Sequence, residues 1–196
     1  MVADMPSRAL DHWTNAAARQ LDQIADAHAA VGGTKPGRRS ATEQINNAYI
    51  VLLAAAFQRF CRDLHTESIN ALLGSLSPTP PLETVLLAIA LHGRQLDFKN
   101  ATRETIAKDF NPLGLRILDG LKARRKGNDK RLTTLDNLNS WRNAIAHQDF
   151  SRKVLVPRKI HLKTVGLWRR QCAILAADLD DVMETHLTAL VGTPPW

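Results

Sequence analysis

The spacing of apolar residues predicts long helices at both ends and in the middle of the chain. From about Arg8 to Val31, apolar side chains recur every three or four residues, with charged residues between them. The same pattern returns from about Thr42 to Leu73, the most apolar segment, and from about Lys163 to Val191, the most regular one. We therefore predict long first, central and last helices.

Shorter helical segments lie between the central and last helices. They run from about Leu82 to Phe98, from Thr102 to Phe110, from Pro112 to Ala123, and from Asp129 or Lys130 to about His147. Glycine, proline and polar residues mark the turns between helices. No strand pattern of comparable length is present, although residues 149–163 could form a basic loop or a short hairpin. The predicted fold is an all-α, up-and-down helical bundle with short accessory helices.

Length and composition indicate one ordinary globular domain over residues 1–196. Its core is expected at about 40–191, after an N-terminal helix and a basic loop in residues 1–39. The apolar runs are too short to span a membrane, and the N-terminus lacks the layout of a signal peptide. Cys61 and Cys172 alone make neither a disulfide framework nor a zinc site. We expect a cytoplasmic protein that uses no metal or other cofactor.

The formal net charge of +7 favours an anionic partner, and nucleic acid is the commonest one for a basic soluble domain. An inert, solvated basic surface is the alternative. The candidate nucleic-acid contacts form two clusters that flank the fourth short helix: Arg124, Arg125 and Lys126 before it, and Arg152, Lys153, Arg158 and Lys159 after it. On the last helix, Asp178, Asp180 and Asp181 are expected on or near the outward face.

Candidate chemistry is concentrated where this fourth short helix ends. Arg142 supplies a forked cation suited to phosphate oxygens, and His147 can exchange protons near neutral pH. At about 100° per residue, Asn143 and His147 share a helix face, whereas Arg142 points about 140° away from His147, toward the side that packs. We therefore predict a two-fold dimer in which two such helices share one cleft.

Arg142, four intervening residues and His147, with Asn143 directly after the arginine, resemble the Rx4-6H signature of the HEPN superfamily (higher eukaryotes and prokaryotes nucleotide-binding). Residues 47–64 resemble the central helix of the RiboL-PSP-HEPN group, and the last helix resembles that group's closing helix. The resemblance covers about residues 40–190. One departure is Gln148, which follows the histidine where relatives often have glycine.

The resemblance implies a metal-independent endoribonuclease that acts as a homodimer and leaves a 2′,3′-cyclic phosphate. Such proteins are often toxins or antiviral defence effectors, so RNA, a second copy and an antitoxin or defence protein are the implied partners. His147 would be the general acid/base, Arg142 would bind the scissile phosphate, and Asn143 would orient the phosphate or the histidine.

Three other interpretations remain open from the residues alone. The same helix could belong to a non-catalytic module that binds RNA, a nucleotide or a protein, or to a structural helical adaptor. In a purely structural role, Arg142 would be a buried ion-pair partner of an aspartate, and His147 would interact with the C-terminal dipole of its helix.

Overall fold

The computed structural model describes residues 5–32, 40–151 and 155–196, which are largely helical and contain no strand. The predicted all-α fold is therefore confirmed for the described chain. No helix in these ranges is long and apolar enough to cross a membrane. In chain order the α-helices are α1 (Arg8–His12), α2 (Ala18–Gly32), α3 (Ser40–Leu76), α4 (Pro80–Leu91), α5 (Arg103–Phe110), α6 (Ile117–Arg124), α7 (Asn128–His147) and α8 (Leu162–Val191).

Helix α3 is the centre of the bundle, as its apolar sequence predicts. It packs against α1, α2, α7 and α8. Its fully buried side chains include Leu53, Phe57 and Leu64, which follow the three-and-four spacing of one helix face. The ring of Phe57 meets that of Trp13 nearly at a right angle, with centroids 5.7 Å apart. This aromatic contact fixes the N-terminal helices against α3.

The first predicted helix is interrupted by a π-helical segment, Trp13–Ala17, between α1 and α2. Ala9, Trp13, Ala17 and Leu21 are all buried, at intervals of four residues. In a regular α-helix, each interval of four residues rotates the side chain by about 40° from the previous one. The wider i→i+5 turn reduces this drift, so all four residues can face the core.

Helix α4 is shorter than the third predicted helix, which was expected to continue to about Phe98 and to bury an apolar face. It ends at Leu91, and none of its residues is buried. Gly93 then adopts a left-handed conformation with a φ of 72°, which ends the helical path. Leu96 is the buried residue of this region, and it lies in a separate 3-10 turn, Gln95–Asp97.

The prediction that Asp178 and Asp180 face outward is wrong, because both are buried in α8. Asp178 accepts hydrogen bonds from Arg125 Nε at 2.8 Å and from Asn128 Nδ2 at 2.9 Å. Asp180 accepts from the backbone N–H of Ser7 at 3.3 Å and from the Ser7 hydroxyl. Residues distant in sequence therefore supply hydrogen bonds to both buried side chains, as buried polar groups require.

Candidate functional site

Helix α7 ends at His147, and a residue other than glycine occupies the left-handed position of the turn that follows. The N–H of Asp149 donates to the carbonyl of Ala144 at 3.0 Å, and the N–H of Gln148 donates to that of Ile145 at 3.3 Å. This is the Schellman arrangement, whose left-handed position is usually glycine. Gln148 occupies it with φ 54° and ψ 29°. The turn after the histidine therefore forms without the glycine that the resemblance leads one to expect.

Arg142 and Asn143 are brought together by a shared hydrogen-bond acceptor. Asn143 Oδ1 accepts from Arg142 Nη1 at 3.2 Å and from Asn100 Nδ2 at 2.8 Å. The guanidinium thus reaches the side chain that was predicted to share a face with His147, although the two residues leave the helix in different directions. Asn100 was not among the predicted site residues, since nothing in its local sequence connects it with α7.

The charge of Arg142 is not neutralised by an acid within the described chain. Its guanidinium has five N–H donors, and among the described residues the bond to Asn143 engages one of them. The residue is half-buried. The structural interpretation, in which Arg142 pairs with an aspartate of another helix, therefore has no support in this part of the protein. Its remaining donors can meet oxygen atoms of a ligand.

His147 is exposed at the last position of α7. Within the described ranges its side chain forms no hydrogen bond to the protein, so it does not cap the helix in that way. The carbonyls of Ala144 and Ile145 are instead bonded by the amides of Gln148 and Asp149. The structure therefore joins Arg142 to Asn143 but leaves His147 free to meet a ligand or a second copy.

Hydrogen bonds along α7 hold the loop that contains Asn100. Asn139 Nδ2 donates to the carbonyl of Ala101 at 2.8 Å, and the Arg103 guanidinium pairs with Asp136 at 3.1 Å. Thr102 caps α5 through a reciprocal capping box. These contacts fix the loop against α7, so Asn100 is held in place where its side chain contacts Asn143.

One basic cluster follows the motif and is anchored next to it. Trp141 is buried, and its indole N–H donates to the carbonyl of Pro157 at 3.1 Å. Arg158 and Lys159 follow Pro157 directly and are exposed. Because Trp141 precedes Arg142, this hydrogen bond brings the two cations to the neighbourhood of the motif. The remaining predicted contacts of this cluster, Arg152 and Lys153, lie outside the described residues.

The other basic cluster lies at the opposite end of α7. Helix α7 rises about 1.5 Å per residue, so Asn128 and Arg142 are roughly 20 Å apart along its axis. Arg124 pairs with Asp181 and Arg125 pairs with Asp178, and these carboxylates raise the pKa of each guanidinium. Two of the predicted contacts therefore anchor α6 to α8, while Lys126 is simply exposed.

A groove of about 700 Å³ lies elsewhere, between α2 and α3. Its walls are mainly alanine, leucine and isoleucine, and Arg59 also lines it. No residue of the motif lines it. In the described ranges, no group of three or more His, Cys, Asp or Glu side chains is placed to hold a metal ion.

Comparisons with known proteins do not assign a family to this chain. No protein-family model, curated protein or solved structure matches it. The resemblance to HEPN proteins therefore depends on the motif and helices of the chain itself.

Proposed function

We propose that the protein is a metal-independent endoribonuclease of the HEPN type, active as a homodimer. It would cut RNA to a 2′,3′-cyclic phosphate and serve as a toxin or an antiviral defence effector. The observation that supports this best is the cation of Arg142, held by Asn143 and without an acidic partner in the described chain, five residues before the exposed His147. Phosphodiester transfer needs both a cation that can hold the phosphate oxygens and a group that can exchange protons.

In the proposed reaction, His147 takes the proton from the ribose 2′-hydroxyl. The 2′-oxygen forms a bond to phosphorus, and the bond from phosphorus to the 5′-oxygen breaks. His147 of a second copy, in its protonated form, gives a proton to that leaving oxygen. Arg142 binds the non-bridging phosphate oxygens, whose charge increases in the transition state. Asn100 positions Asn143, and Asn143 positions the guanidinium.

The activity is tested with purified protein and a labelled RNA in EDTA. We expect cleavage that requires a 2′-hydroxyl, and His147→Gln should lower the rate by about 10²- to 10⁴-fold, as is typical for loss of a general acid/base. His92→Gln is the matched control, since His92 is also exposed but lies outside the motif. Full activity of the His147→Gln protein would refute the proposed role.

The shared cleft is tested by mixing wild-type protein with the inactive His147→Gln variant at a constant total concentration. If one cleft needs a histidine from each of two copies, only wild-type homodimers cut RNA, and activity after subunit exchange should fall with the square of the wild-type fraction. If each site lies within one copy, activity should fall in direct proportion to that fraction. Sedimentation of the wild-type protein provides the mass of the assembly.

A non-catalytic RNA-binding module is the second candidate. The observation that favours it is that no described side chain orients His147, so one copy alone does not present an assembled acid/base. This alternative predicts salt-sensitive RNA binding without cleavage products, and His147→Gln should then leave affinity unchanged.

A further inference from the structure

Phe98 is an exposed aromatic residue two positions before Asn100, whose side chain contacts Asn143. Its side chain is 81% exposed, whereas Leu96, two residues earlier, is fully buried. A single exposed apolar residue is common on protein surfaces and does not by itself indicate a function. The position of Phe98 and the rigidity of its backbone are what distinguish it.

The turn that contains Phe98 is fixed by hydrogen bonds to its backbone. The N–H groups of Phe98 and Lys99 both donate to the carbonyl of Gln95, at 3.0 and 2.7 Å. The buried carboxylate of Asp109 accepts from the N–H groups of Gln95 and Leu96, each at 2.8 Å. The aromatic ring is thus presented on a fixed backbone, which lowers the entropic cost of binding a flat ligand.

The turn leads directly into the motif. Asn100, which donates to Asn143, follows Phe98 by two residues, so their Cα atoms are at most about 7 Å apart. The carbonyl of Asn100 accepts from Thr105 Oγ1 at 2.6 Å, which fixes this end of the segment as well. Phe98 and the exposed Lys99 therefore directly precede the residue whose side chain contacts Asn143, the hydrogen-bond partner of Arg142.

We propose that Phe98 is a stacking platform for an unpaired base next to the phosphate held by Arg142. This inference rests on the proposed function. An aromatic face stacks on any unpaired base, whereas the bases of an RNA duplex are already stacked on one another. Lys99 adds a cation for the backbone of the same strand. Phe98 would thus select unpaired RNA without reading its sequence.

The test uses the His147→Gln protein, so that RNA is bound but not cut, and measures anisotropy of a labelled single strand and of the matching duplex. Adding Phe98→Ala should weaken single-strand binding by about 5- to 150-fold, the usual effect of losing one base–aromatic stack. Phe98→Trp should retain the affinity, and duplex affinity should be low and unaffected. Leu190→Ala is the matched control, because Leu190 is 55% exposed near the end of α8.

The outcomes separate this inference from the proposed function. If the parent binds the single strand and Phe98→Ala binds it equally well, the stacking role is refuted while the ribonuclease proposal stands. If the parent binds no RNA, both are refuted. If Phe98→Ala changes the sedimentation mass and leaves RNA affinity unchanged, Phe98 belongs to a protein contact instead. A melting curve of each variant confirms that the fold is intact.

Discussion

Replacing Arg142 by glutamine separates a phosphate-binding role from a structural one. Glutamine keeps N–H donors at this position, but it carries no charge. The arginine makes a single hydrogen bond within the described chain and no ion pair there, so the substitution should cost at most about 0.5–1.5 kcal/mol of stability. The loss of one phosphate contact should instead appear in RNA binding.

For single-stranded nucleic acid, each neutralised phosphate contributes about 0.7 to the slope of log affinity against log salt concentration. Arg142→Gln should therefore reduce the magnitude of this slope by about 0.7 per bound site. The assay is anisotropy of a labelled RNA at several salt concentrations, in the His147→Gln background. Arg116→Gln is the matched control, because it removes an equal charge from an arginine that is 87% exposed and paired with Asp119.

Three possible results distinguish the interpretations of Arg142. A smaller slope for Arg142→Gln alone supports contact with a phosphate. Equal changes in the Arg142→Gln and Arg116→Gln proteins would show that only net charge matters. A large loss of stability with an unchanged slope would refute the phosphate role and favour a structural one.

The remaining predictions concern stability. Gln148→Gly should raise the free energy of unfolding by about 1 kcal/mol, because glycine adopts this left-handed conformation without the steric cost that glutamine has there. An unchanged or lower free energy of unfolding in urea denaturation would contradict this. Asn139→Ala should lower it by about 1–2 kcal/mol, since the buried carbonyl of Ala101 loses its donor, and an unchanged denaturation midpoint would show that the loop is held by other contacts. Burial raises the pKa of Asp180 and of Glu67, so the folded state binds protons more readily than the unfolded state does. These two groups should therefore add stability as the pH falls from neutral toward the ordinary pKa range of carboxyl groups, and Asp180→Asn should reduce this gain. Equal shifts in melting temperature with pH for the wild-type and Asp180→Asn proteins would refute this prediction.

The long helices could be predicted from sequence because each buries one apolar face over many turns. The periodicity of α3 and α8 is a local property, so it survives without knowledge of the partners. Helix α4 shows the limit of this reasoning. Its sequence is apolar, but whether an apolar face is covered depends on the neighbouring helices, and none of its residues is buried.

Buried polar groups were predicted least well, because their partners are distant in sequence. Asp180 depends on Ser7, and Asp178 depends on Arg125 and Asn128. A charged residue in an isolated helix is assigned to solvent by default. The same limit applies to Asn100, whose contact with Asn143 joins a loop to a helix 43 positions away.

The position of Arg142 changes the reason for expecting a dimer. Helical geometry alone separates Arg142 from the face of His147, and on that ground a second copy is needed to bring an arginine to the histidine. The arginine side chain is long enough to bridge that angle, since its guanidinium reaches Asn143 in the same copy. What one motif does not supply is a second histidine, and transfer to a 2′,3′-cyclic phosphate involves both a base for the 2′-oxygen and an acid for the 5′-oxygen. The case for a shared cleft therefore rests on the chemistry of proton transfer, which mixing of wild-type and His147→Gln subunits addresses directly.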